Sequence, residues 1–245
     1  MRSRPLALAL ALSSLVAASV SSAQTPSPMT DGMVAGGYVR VSGGVTTPVN
    51  AGGSLREWSA GPTFNVMWEN WENNDRGTLS LFGFGLYADL SLLPFDETQF
   101  IKDFTNGPNG AATSATASRA RVIQFGVNTR FRFPAPYITP SISLGFGFLD
   151  WHPGTIDYVA VGGSASVKQQ SRQGGVLTLI GGLDKHLYDR VSIFGEAAYA
   201  YAYTSFGQGL GASGSACIAA NCDLLKNMPF GTFRGGLKVR VGASR

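Results

Sequence analysis

The sequence predicts an all-β chain: an eight-stranded antiparallel up-and-down transmembrane β-barrel with long loops at one end. Three observations carry this expectation. Charged residues make up only 14% of the chain, against roughly 25% in an average soluble protein, while glycine fills 32 of 245 positions. Eight strand-length blocks recur, and most of them alternate apolar with polar residues. The segments between those blocks are short and long by turns.

Low charge together with 44% hydrophobic content excludes a disordered chain. The glycine content argues against a helical one, because each Gly inside a helix costs about 1 kcal/mol relative to Ala. The formal net charge of +4 includes Arg2 and Arg4. Both lie in a segment with the features of a secretory signal: a short basic start, an apolar stretch from Pro5 to Ala18, and the small residues Ser21-Ser22-Ala23. We therefore expect residues 1–23 to be removed before Gln24, and residues 24–35 to form a polar leader. The exported remainder, a barrel domain over residues 36–242, is then nearly neutral, which excludes a basic nucleic-acid binder. No later apolar run is long enough for a spanning helix.

The strand blocks follow in order. Gly36–Val45 is short and weakly patterned. Trp58–Trp71 sets Phe64, Val66 and Trp68 opposite Thr63, Asn65 and Glu69. Thr78–Leu90 is again weak. Ser118–Phe133 gives the clearest period, with Ile123, Phe125, Val127, Phe131 and Phe133 on one face and Gln124, Gly126, Asn128, Arg130 and Arg132 on the other. Ile138–Leu149 repeats it, with Ile142, Leu144, Phe146 and Phe148 opposite Ser141, Ser143, Gly145 and Gly147. Gly174–Leu187 sets Leu177, Leu179 and Leu183 opposite Thr178, Asp184 and His186. Val191–Tyr203 carries Glu196 among small and aromatic residues. Met228–Val241 sets Phe233, Leu237, Val239 and Val241 opposite Thr232, Arg234, Lys238 and Arg240.

Three separators are tight: Glu72–Gly77, Pro134–Tyr137 and Tyr188–Arg190. Four are long: Thr46–Glu57, Ser91–Ala117, Asp150–Gln173 and Thr204–Asn227. In a meander every second connection falls at the same end, so the short turns share one mouth and the long segments the other. The strands exceed the ~9–11 residues that cross a bilayer when tilted.

Alternation alone does not say which face points out, and a secreted lipocalin-like barrel would show the same period. Three features favour the membrane. The polar face carries small residues suited to a crowded lumen. The alternation of connection lengths is pronounced. Aromatics gather at the strand ends: Trp68, Phe131 and Phe133 near the short turns, and Trp58, Trp151, Tyr199, Tyr201, Tyr203 and Phe230 near the long loops. Such positions suit interfacial girdles.

With this signal segment, these eight alternating blocks and this loop asymmetry, the chain resembles the small bacterial outer-membrane β-barrels, such as the transmembrane domain of outer-membrane protein A and the small adhesin-like barrels. The resemblance covers Gly36 to Val241 and rests on pattern. Members commonly end in an aromatic residue, whereas this sequence ends Gly242-Ala243-Ser244-Arg245. The resemblance implies outer-membrane localisation, contact with outer-membrane lipids, a monomer, and loops that meet envelope or host surface molecules.

Motifs for chemistry are few. Gly209-Leu210-Gly211-Ala212-Ser213-Gly214 matches a dinucleotide-binding spacing, but no helix pattern follows to receive the phosphates. His152 stands beside Trp151, with Asp150 and Asp157 near in sequence. A lipid-deacylating barrel would place Ser two residues after the His, where this chain has Gly154. We therefore expect no enzyme, and no catalytic, cofactor-binding or metal residues. Arg40, Glu69, Arg130, Arg132, Asp184, Glu196, Arg234, Lys238 and Arg240 fall on the polar faces and are expected to form a structural charge network in the lumen, with Glu196 paired to Arg234 or joined to Asp184. Cys217 and Cys222 are candidates for a disulfide in the last long loop. The expected role is structural or interactive, through the outer loops. A narrow conduit or binder for small hydrophobic molecules, using Gly83, Gly85, Ala198 and Ala200 to leave a cavity, is the alternative. A lipid-modifying barrel enzyme stands behind it.

Overall fold

The computed structural model describes residues 36–49, 55–71, 81–105, 110–133, 135, 137–168, 171–188, 190–203 and 227–241. The expected signal segment 1–23, the leader 24–35 and the cysteine pair Cys217 and Cys222 lie outside these residues.

Eight strands close into one barrel: β1 (Gly36–Pro48), β2 (Gly61–Trp71), β3 (Phe82–Leu93), β5 (Ala120–Arg132), β6 (Thr139–His152), β9 (Arg172–Tyr188), β10 (Val191–Tyr203) and β11 (Asn227–Val241). Each pairs antiparallel with the next barrel strand along the chain, and β1 meets β11 to close the sheet, with Arg40 opposite Lys238 and Gly37 opposite Val241. Closure leaves no barrel strand with an unpaired edge. The fourteen-residue β6 and seventeen-residue β9 are both longer than a bilayer crossing needs.

Side chains alternate strictly. Along β2 every odd-numbered residue from Gly61 to Trp71 is buried and every even-numbered one is exposed. Large apolar residues cover the outside, including Phe64 at 56% exposure, Phe146 at 65% and Phe233 at 68%. Arginine, lysine, glutamate and asparagine fill the inside. This inverts a soluble barrel, and it is the arrangement of one whose outer solvent is lipid.

Several strand limits differ from those the sequence suggests. β1 runs on to Pro48, because Thr46 and Thr232 share an inward hydroxyl contact of 2.9 Å. β3 extends to Leu93, since Ser91 and Leu93 keep the inward parity. Trp58 falls outside β2: its backbone bridges Phe95 and its ring turns inward.

The larger difference concerns the long connections, expected as long loops. The segment after β3 holds a short helix, α1 (Glu97–Asp103), and a strand, β4 (Ala112–Ala117). The segment after β6 holds the hairpin β7 (Thr155–Ala160) and β8 (Gly163–Lys168). β4, β7 and β8 form a separate three-stranded sheet in that order. The Asp96 side chain caps α1 by accepting from the Gln99 amide at 3.0 Å. Phe100, Ala112, Ala115, Ile156, Tyr158 and Ala160 bury a small core between helix and sheet. These connections fold because they carry their own apolar residues at strand and helix spacing, within stretches whose overall composition reads as loop.

Candidate functional site

The lumen is built in layers. Toward the short-turn end lies a dense ion network. Arg40, fully buried on β1, reaches Glu69 at 3.1 Å, Asp184 at 3.4 Å and Glu196 at 2.6 Å. Arg130 contacts Glu69 at 3.1 Å and Glu196 at 2.7 Å. Arg234 bridges Glu196 at 2.9 Å and Asp89 at 2.7 Å. Lys238 holds Asp184 at 2.8 Å. Glu196 thus receives three guanidinium groups, delivered by β1, β5 and β11. An isolated charge in such a place would be prohibitive; here each carboxylate meets at least one base.

Aromatic rings complete this layer. The Arg132 guanidinium lies 3.2 Å from the Trp71 ring centroid, and Arg40 lies 3.8 Å from that of Phe194. The Trp71 indole N–H donates to Glu69 at 3.3 Å. Arg240 keeps the inward parity but is half-buried, and its backbone N–H donates to the carbonyl of Arg190, just before the adjacent β10, at the short-turn end.

Above the ions is a ring of hydroxyls. Ser91 donates to Thr63 at 2.8 Å, its oxygen lies 3.1 Å from the Thr46 hydroxyl, and Thr46 meets Thr232. Above these the interior turns apolar: Leu55, Trp58, Leu93, Val122, Leu149, Trp151, Val176, Met228 and Phe230 pack as one cluster. Trp58, Trp151 and Phe230 were expected on the outer girdle. They are instead 3%, 1% and 0% exposed, inside the barrel. Parity explains Trp151 and Phe230, which share the inward register of Ser143 and Arg234. Trp58 gets there because its chain folds over the mouth. Trp68, Phe131, Phe133, Tyr199, Tyr201 and Tyr203 do lie outside.

Among the described residues, the space beside Gly83 and Gly85 is already taken by neighbouring side chains. A Cβ built on Gly83 would stand 2.6 Å from the Trp71 ring, and one on Gly85 would collide with Asn128. Ala200 belongs to the apolar cluster. An aromatic chain leads from that cluster into the cap: Trp151 to Trp58 at 6.0 Å, Trp58 to Phe95 at 5.6 Å, Phe95 to Phe100 at 5.6 Å and Phe100 to Tyr158 at 6.0 Å.

Sequence reasoning missed Asp89, Trp71 and Tyr38 as lumen residues. Asp89 sits in the weakly patterned β3, where its parity with Gly83 and Gly85 was the available signal. On the outer rim, sequence reasoning named His152 and Asp150 but not their partners Ser171 and Gln173. Asp150 and His152 continue the outward face of β6, where His152 Nε2 lies 2.6 Å from Asp150 Oδ2. His152 Nδ1 lies 3.0 Å from Ser171 Oγ, just before β9, and Gln173 donates to Asp150 at 3.3 Å. No group of ligands suited to a metal occurs among the described residues.

Fold and faces together define a class, the outer-membrane β-barrel with a lipid-facing exterior and a polar, packed interior. Solved structures similar to this chain are small barrels of that class. Neisserial surface protein A aligns over 84% of this chain and 97% of its own at 11% identity, with a TM-score of 0.47. The outer membrane protein OprG from Pseudomonas aeruginosa aligns over 87% and 100% at 11% identity, with a TM-score of 0.44. Ail, the attachment invasion locus protein of Yersinia pestis, aligns over 84% and 99% at 16% identity, with a TM-score of 0.42. No family model matches the chain, and no curated protein matches it.

Proposed function

We propose that this chain is a monomeric integral protein of the bacterial outer membrane, exported by its N-terminal segment, that acts through its folded cap and not through its lumen. The carrying observation is the pairing of a packed interior with a structured exterior domain. Ion network, hydroxyl ring and apolar cluster succeed one another along the barrel axis, and eight strands enclose only enough space for side chains. The cap has its own core, and the aromatic chain from Trp151 to Tyr158 ties it to the barrel. A folded, fixed surface costs less entropy on binding than a flexible loop. Its partners are envelope or host surface molecules. The exposed face of the cap sheet offers Ser114, Thr116, Asp157, Ser164 and Ser166, a small polar surface suited to hydrogen bonding.

The test is display of the chain on cells that lack other adhesins, scored for attachment to immobilised glycans and matrix proteins. Replacing residues 155–168 with a Gly-Ser linker should abolish attachment while the barrel still reaches the outer-membrane fraction. Attachment that survives the replacement, or is never seen, would remove the cap from the mechanism. Planar-bilayer recording separates the conduit reading: steady channels from the intact chain would favour it.

A further inference from the structure

We infer that Ser171, His152 and Asp150 form a nucleophilic relay on the outer rim that hydrolyses acyl esters of membrane lipids. The inference is independent of the cap's proposed binding role. Its first support is geometry. A hydroxyl, an imidazole and a carboxylate stand in series, with Ser171 Oγ 3.0 Å from His152 Nδ1 and Asp150 Oδ2 2.6 Å from His152 Nε2. The carboxylate accepts the Nε2 proton and so fixes the tautomer that leaves Nδ1 with a lone pair for the serine proton. Gln173 donates to the other oxygen of Asp150 at 3.3 Å and helps hold the carboxylate in place. The sequence does not show this group, because Ser171 stands just before the neighbouring β9, nineteen positions from His152.

The second support is location. Asp150 and His152 continue the outward row of Phe146 and Phe148 on β6, and Ser171 and Gln173 continue that of Leu177 and Gly175 on β9. Gly175 lies opposite Phe148, one pleat below the Asp150–Gln173 pair, and open space surrounds the position a Cβ would take. That notch runs down onto Leu177 and Leu179, both half exposed on the apolar belt. Four residues of strand separate Gly175 from Ser171, an advance of about 13 Å, so an acyl chain whose ester lies beside Ser171 is long enough to run down into the notch. Exposed Arg121 lies opposite His152 on β5, a cation suited to an anionic headgroup.

The reaction balances without a metal or redox partner. Ser171 Oγ bonds to the acyl carbon as its proton passes to His152 Nδ1, and the carbonyl electrons move to oxygen. Their return breaks the ester C–O bond, and the departing alcohol oxygen takes the proton from Nδ1. Water then repeats the sequence on the acyl-serine, releasing a fatty acid and restoring Ser171.

The folded full chain, in phospholipid vesicles and separately in detergent, is treated with a fluorophosphonate probe and digested for mass spectrometry. The expected result is one adduct, on Ser171. His152→Ala should slow labelling at least about 100-fold, the scale of general-base assistance, while Ser118→Ala, exposed just before β5 and outside both proposed sites, labels as the parent does. Fatty acid release is then measured from phospholipid vesicles and from purified lipopolysaccharide, and the substrate that releases it identifies the lipid. Heat-shifted gel mobility verifies that each variant is folded. Folded parent protein with no Ser171 adduct, labelling unchanged in His152→Ala, or no fatty acid from either lipid would overturn the inference. In that case the three residues merely clasp the ends of β6 and β9.

Discussion

Trp58 stands edge-on to Trp151 inside the loop end of the barrel, ring centroids 6.0 Å apart and planes at 84°. Neither ring sits in the girdle that its place near a strand end suggests. Together they close the outer mouth and begin the aromatic chain that carries the cap. Trp58→Ala should cost about 3–5 kcal/mol, the usual range for a buried aromatic truncated in place. The Trp58→Ala protein should stay electrically silent in planar bilayers, because the Arg40–Glu196 layer still fills the lumen below. Channel openings from this variant would show that the apolar cluster alone seals the barrel.

Glu196 is the acceptor on which three guanidinium groups converge. Glu196→Ala leaves Arg40, Arg130 and Arg234 with surplus buried charge, and breaking such a network by removing one partner costs about 3–5 kcal/mol. Val239→Ala trims a half-buried side chain on the lipid-facing parity and should cost much less. Urea unfolding in detergent, followed by tryptophan fluorescence, compares the two midpoints. Equal shifts would contradict the assignment of faces.

Gly83 gives the Trp71 ring its seat, with three ring carbons within 2.6–2.8 Å of where a Cβ would lie. Trp71 has nowhere to withdraw, since Arg132 stacks on it. Gly83→Ala should therefore destabilise by about 1–3 kcal/mol, as overpacking does. Gly195→Ala, on the outer face with open space around it, is the matched control. A thermal melt that lowers both equally would mean that Gly83 is required for backbone reasons alone.

Orientation follows from which end bears the cap. An epitope inserted between Gly162 and Gly163, at the β7–β8 hairpin, should bind antibody on intact cells. One inserted between Tyr188 and Arg190 should bind only after the outer membrane is opened. The reverse labelling would turn the barrel over.

The barrel itself was legible in the sequence because a strand buries one face and a period of two needs no partner to be seen. Phe125 and Gln124, or Leu177 and Thr178, declare opposite faces wherever the neighbouring strands lie. Strand count followed from the connections, and the neutral, glycine-rich composition narrowed the class. The charged residues of the lumen were likewise named by parity, Arg40 and Glu196 among them. Which of them touch was decided by register across strands that the sequence does not align: Arg40 meets Glu196 only because β11, between their two strands, presents Gly236 opposite both Ser42 and Phe194.

Three features belong to the tertiary structure alone. Trp58 and Trp151 turn inward because closure makes a second apolar compartment at the loop end, and an aromatic residue is equally at home on either side of a barrel wall. The cap folds because Phe100 and Tyr158, distant in sequence, find each other across it. Ser171 reaches His152 because β6 and β9 run side by side, although the whole β7–β8 hairpin separates them in the chain. Periodicity records what a residue faces, and only the closed sheet decides what it faces there.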